Sequence, residues 1–211
     1  MNKENQEKKI QKRTIENREK LLSASMKQFS TKGYYNTNIR GITQEAGLST
    51  GIFYRYFENK ESLYLTLVEE YFEQSAKLLD ELLQIGLTTK TKDEAREILQ
   101  QNFSSIINRS SESIVFVSDI DIVRKELPAL EEVQKKRVSL LHTCFEQFLR
   151  KQYPDSQMNY ALMARMIHIA TDAIGRDLSK ENSPSIKAEY LRLFIEQILY
   201  YAYDLNDNMG R

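Results

Sequence analysis

Few residues in this chain have the types and spacing that could do covalent chemistry. There is one cysteine, Cys144, and there are two histidines, His142 and His168. His142 and Cys144 stand two positions apart, so on a helix they do not share a face. A single thiol makes neither an intrachain disulfide nor a multi-cysteine zinc site. No nucleophile–base pair, glycine-rich phosphate loop or metal-spaced ligand set stands out. Catalytic residues, metal ligands and cofactors are therefore expected to be none.

One carboxylate is out of place. Asp119 lies in the apolar run Ile114–Val123, where its helical neighbours Val115, Phe116, Ile122 and Val123 are all apolar. A carboxylate among such neighbours is costly unless paired. It is expected either to face a ligand pocket or to meet a partner on another helix, such as Arg96 or Arg165. Asp121 differs, because Arg124 and Lys125 lie within ion-pair spacing.

The most informative stretch is TNIRGITQEAGLSTGIFYRYFENK, residues 37–60. Ile42 and Ala46 fall on the inner face of a short helix. Gly47 supplies a permissive turn, and Leu48 plugs the core. Ile52 or Phe53 faces inward from a second short helix. This is the pattern of a helix-turn-helix. Ser49, Thr50, Gly51 and Tyr54 then line an exposed face near the second helix's N-terminus, where small residues permit close approach and the helix dipole favours phosphate.

The elements that must hold this segment read as helices throughout. Only 7 Gly and 3 Pro occur in 211 residues, which disfavours many turn-linked strands. Residues 1–12 read as a flexible charged arm. Helices are expected at about 13–31, from Thr37 or Asn36 to about 46, 49–57, 60–84, from Thr91, 112–126, from Pro128, from Asp155 or Ser156 to about 180, and 184–204. Gly33 and Gly47 fit turns, and Ser49, Asn59, Thr91 and Ser183-Pro184 fit helix starts. The segment 114–123 has strong β propensity and is the least typical of the helices.

Charge is uneven. Residues 1–60 hold 12 Lys/Arg and 6 Asp/Glu, whereas the remainder holds 18 and 24. A basic head on an acidic body suits a chain that presents one end to a polyanion. No apolar run approaches the ~18 residues of a membrane span. The polar N-terminus lacks a secretory signal's apolar stretch. The expectation is a cytoplasmic protein with no membrane partner.

The run T-N-I-R-G-I…E-A-G-L-S…G-I-F-Y-R-Y-F-E-N-K-E resembles the DNA-binding head of the tetracycline-repressor (TetR) family, over about residues 13–70. Asn38, Gly41 and Thr43 depart mildly from the family pattern. The resemblance implies an all-α fold: a three-helix head with a helix-turn-helix, and a six-helix effector and dimerisation domain. The corresponding boundaries are 1–58 and 59–211. It also implies a homodimeric regulator, a repressor released from a palindromic operator by a small molecule. By position, Arg40 would reach a guanine, while Asn38, Ser49, Thr50 and Gly51 would lie at the bases or beside them. Thr37, Tyr54, Arg55, Tyr56 and Lys60 would hold phosphates, with Lys8, Lys9, Lys12 and Arg13 of the arm as further candidates. A dimer face is expected on helices near 156–180 and 184–204. An effector pocket is expected among Phe103, Ile107, Phe116, Asp119, Ile120, Leu141, Phe145 and Met166.

Overall fold

The computed structural model describes residues 3–88, 91–111, 114–181 and 183–204, the side chains of 3–7, 10, 85–88, 102–111, 114, 175, 178–180 and 202 excepted. Among these residues the secondary structure is helical throughout. The elements are α1 (Lys3–Lys32), α2 (Ile39–Glu45), α3 (Thr50–Phe53), α4 (Lys60–Thr88), α5 (Lys92–Ser111), α6 (Ile114–Val123), α7 (Ala129–Gln152), α8 (Tyr160–Lys180) and α9 (Pro184–Leu199), with a closing π-helical turn at Tyr200–Asp204. The order matches the expected series, including the β-prone segment that became α6. No helix among the described residues is long and apolar enough to cross a membrane.

Three local expectations are corrected. Residues 3–12 are not an irregular arm but the first turns of α1. Helix α2 is capped by Asn38, whose Oδ1 accepts from Gly41 N at 2.9 Å, rather than by Thr37 or Asn36. Helix α8 is capped by Asn159, whose Oδ1 accepts from Leu162 N at 3.0 Å, rather than by Asp155 or Ser156. Neighbouring Asn, Asp, Ser and Thr residues all cap well, so composition alone does not choose among them. The expected caps at Asn59, Thr91 and Ser183 are present.

By packing, the chain forms two units: Met1–Tyr71 with Glu112–Val133, and Phe72–Ser111 with Gln134–Arg211. These packing units do not follow the expected boundary at 58/59. Helix α6 and the start of α4 pack with the head.

The first unit is built on an aromatic cluster. Phe29 and Tyr64 meet edge to face at 5.0 Å, and Phe116 meets Tyr64 at 5.4 Å. Phe29, Tyr64 and Phe116 are fully buried. Such pairs stabilise beyond the area they bury. Helix α1 runs antiparallel to α4: Phe29 meets Tyr64, while Arg18 bonds Glu70 at 3.0 Å.

The second unit has two apolar clusters. One gathers Leu83, Phe145, Phe148, Leu149 and Ile167; the other gathers Leu82, Ala95, Leu99, Ile195 and Leu199. Arg96 of α5 bonds Glu196 of α9 at 2.6 Å beside the second cluster.

Candidate nucleic-acid interface

Helix α2 rests on Ile42, which is fully buried, and ends at Ala46. Gly47 turns the chain at φ 65°, a left-handed conformation that other residues adopt at a cost. Leu48 N–H donates to Thr43 O at 2.9 Å and closes the turn. Ser49 starts α3 in extended backbone, but its side chain makes no capping bond, contrary to the expected cap. Helix α3 is held from below by Phe53, fully buried, and by Phe57, whose ring lies 5.7 Å away.

With Phe53 and Phe57 turned inward, the other side of α3 faces out. Ser49, Thr50, Gly51, Tyr54 and Arg55 are exposed, Tyr54 at 57%. Asn38 and Arg40 are exposed at the start of α2. These seven of the ten residues named from sequence share the surface of the helix-turn-helix. Tyr56 is half-buried.

Thr37 and Lys60 are placed differently. Thr37 is 2% exposed, and its hydroxyl donates to Gly33 O at 2.8 Å. Its side chain braces the turn after α1 instead of reaching outward. Lys60 Nζ donates to Tyr34 O at 2.9 Å and to Thr37 O at 3.1 Å, and lies 4.0 Å from the centre of the Tyr34 ring. Burial lowers its pKa, partly opposed by Glu61. The ammonium therefore ties the α1–α2 turn to the start of α4.

Asp119 is expected to face a pocket or to meet a partner on another helix, such as Arg96 or Arg165. It has a partner just past the end of α1: its Oδ2 accepts the backbone N–H of Tyr34 at 2.6 Å. Only Phe116 and Val123 of its four apolar neighbours are buried, while Val115 and Ile122 are exposed, so its surroundings are less apolar than the sequence implies. Asp119 stands at the boundary between the two faces of α6.

The other residues named for a pocket are divided between the two units. Phe116 and Ile120 are core of the first unit, and Leu141 and Phe145 are buried in the second. Met166 is 57% exposed, so it is no wall of an internal cavity. Phe103 and Ile107 lie on α5 with side chains outside the described residues.

The family described as "Bacterial regulatory proteins, tetR family" matches residues 21–67. The chain is similar to the HTH-type transcriptional regulator YdgC of Bacillus subtilis (strain 168), 32% identical over 77 residues, covering 36% of this chain and 40% of YdgC. It is 47% identical over 62 residues to the HTH-type transcriptional regulator HbdR of Aromatoleum sp. (strain CIB), covering 28% of this chain and 27% of HbdR. A solved structure from Mesorhizobium loti MAFF303099, described as a TetR-family transcriptional regulator, superimposes with a TM-score of 0.67. It is 17% identical and covers 89% of this chain and 96% of that one.

The family match covers the head, residues 21–67, and the solved structure shares the fold. The alignments with the two curated relatives span at most 40% of those relatives' lengths. These relatives are named as regulators, not as enzymes.

The second unit of the chain holds a group whose members stand far apart in sequence. His168 Nδ1 and His142 Nε2 lie 3.0 Å apart, between α7 and α8. One helix turn further, Arg137 bonds Asp172 at 2.7 Å and lies 4.9 Å from the Phe72 ring centre. Burial lowers the His168 pKa, opposed by Asp172 and reinforced by Arg137, His142 and Arg176. Burial pushes Asp172 up, but Arg137 and Arg176 hold it below the usual carboxylate range. The two histidines are on different helices, and spacing along the chain carries no sign of their meeting. Cys144 is half-buried against the Phe145 cluster, and burial raises its thiol pKa.

Proposed function

We propose that this chain is a homodimeric, sequence-specific DNA-binding transcriptional regulator, acting as a repressor that a small-molecule effector releases from a palindromic operator. Residues 1–58 read DNA, and residues 59–211 carry the effector site and the dimer face. The reading implies a cytoplasmic protein. The observation that carries it is the sidedness of α3: Phe53 is fully buried, while Ser49, Thr50, Gly51 and Tyr54 present one uncluttered surface.

Arg40 has the exposed guanidinium needed for the paired acceptors of guanine. Thr50 and Gly51 let the backbone approach base edges. Tyr54, Arg55 and Tyr56 fix register on phosphates. Lys60 acts through the turn it holds and reaches phosphate only as a secondary role.

The homodimer reading rests on exposed apolar stripes. Helix α8 exposes Leu162, Met166 and Ile169, and α9 exposes Ile186 and Leu193. These spacings keep each set on one side of its helix. A second copy would cover them and set two recognition helices about 34–36 Å apart, the pitch of successive major grooves.

The test uses duplexes from the DNA beside the chain's own gene. The purified protein should bind a palindrome there with a steep inverse dependence on salt, because phosphate contacts release counterions. Binding that ignores salt, or no binding to any such duplex, would overturn the reading.

A further inference from the structure

We propose that Asp119 of α6 is a positioning residue for DNA recognition, acting through the Gly33–Thr37 turn; this rests on the DNA-binding reading above. Helix α1 ends at Lys32, and Gly33 follows at φ 76°. Gly33 N–H donates to Phe29 O at 3.0 Å, which closes the helix by the simpler of the glycine caps. That cap leaves the next N–H, on Tyr34, without a helical acceptor. Asp119 Oδ2 supplies one at 2.6 Å.

The two sides of residue 34 are then held by opposite charges from two helices. Its N–H meets the Asp119 carboxylate, and its C=O meets the Lys60 ammonium at 2.9 Å. Lys60 also holds Thr37 O, one residue before the Asn38 cap of α2. Bonds in which one partner is ionised are stronger and more directional than neutral ones. The start of α2, which bears Asn38 and Arg40, thus takes its position from a turn clasped on both sides.

Two features set this contact apart from ordinary packing. The fit is close: a Cβ at Gly33 would lie 2.8 Å from Asp119 Oδ2. The charge is also opposite to what helix stability alone selects. A negative group beside the C-terminus of α1 opposes the helix dipole, where a lysine or arginine would favour it. The carboxylate is suited to holding the amide of Tyr34 rather than to stabilising α1.

The test compares the full-length native chain with Asp119→Ala and Asp119→Asn. DNA affinity is read by fluorescence anisotropy on the native palindrome, and Tyr34 by amide hydrogen exchange. Asp119→Ala should weaken binding tenfold or more at a temperature where the chain is folded, leave the salt dependence unchanged, and speed exchange at Tyr34. Asp119→Asn keeps an acceptor oxygen and should stay within about threefold of native affinity. Leu83→Ala, a core change in the second unit, should lower the melting temperature without speeding Tyr34 exchange, separating positioning from general stability. If Asp119→Ala does not fold, Asp119→Ser, too short to reach Tyr34, carries the same expectation. Native DNA binding together with unchanged affinity in these variants would overturn the proposal alone. A native chain that binds no duplex would overturn the DNA reading, and this proposal with it.

Discussion

Asp119 Oδ2 and the backbone N–H of Tyr34 are 2.6 Å apart, although 85 residues separate them in the chain. The contact joins α6 to the turn that leads into the helix-turn-helix. It also leaves no room beside Gly33.

That crowding ranks three glycines. Gly33→Ala meets both a left-handed backbone and the Asp119 carboxylate, and should cost about 2–3 kcal/mol. Gly47→Ala meets only the backbone, since nothing lies within 4 Å of its would-be Cβ, and should cost about 1–2 kcal/mol. Gly41→Ala lies inside α2 with ordinary contacts and should gain about 0.5–1 kcal/mol. Urea unfolding of the three variants checks the order.

Thr37 and Arg40 separate stability from recognition. Thr37→Val removes the bond to Gly33 O and should cost about 1 kcal/mol of stability, with the salt dependence of DNA binding unchanged. Arg40→Ala alters an exposed side chain, so its melting temperature should stay within a degree or two (about 0.5 kcal/mol). Its operator binding should weaken by about 1–3 kcal/mol. Melting and anisotropy on the same preparations distinguish them. An Arg40→Ala chain that binds normally would remove the guanine contact.

Acid should weaken the chain through His168. Its pKa in the folded state is lowered, so as pH falls below about 6.5 the unfolded chain takes up the proton first. Stability is then lost as pH falls through that window, and levels off below the folded pKa. Above about 6.5 both states are neutral at this position and the contribution is flat. His168→Gln should flatten the profile measured between pH 8 and pH 5. The same slope in that variant would mean other groups cause it.

The exposed stripes on α8 and α9 predict the assembly state. Met166→Glu with Leu193→Glu places charge on both stripes without entering the core. The double variant should sediment as a monomer, keep its helical signal, and lose most of its operator affinity. A monomeric native chain would contradict the dimer outright.

Much of the head was legible because local rules fix it. Gly33 and Gly47 take positive φ angles, and Phe53 and Phe57 turn inward as their i, i+4 spacing requires. The rest depends on contacts that spacing does not encode. Thr37 and Lys60 looked like outward phosphate contacts, but each satisfies carbonyls of one turn. Asp119 looked buried because α6 is apolar on nearly every side, although only one face of that helix packs. His142 and His168 meet only because α7 and α8 pack together. Residues 3–12 are too polar to announce a helix by periodicity, yet they continue α1.

Cys144 gives the chain an experimental handle. It is the sole thiol, half-buried, and its raised pKa makes it a slow nucleophile. A cysteine introduced at exposed Arg55 would take up a maleimide dye far sooner, without any need to remove the native sulfur. In an assembled pair, two such dyes would serve as an optical ruler for the recognition surfaces, with and without bound DNA.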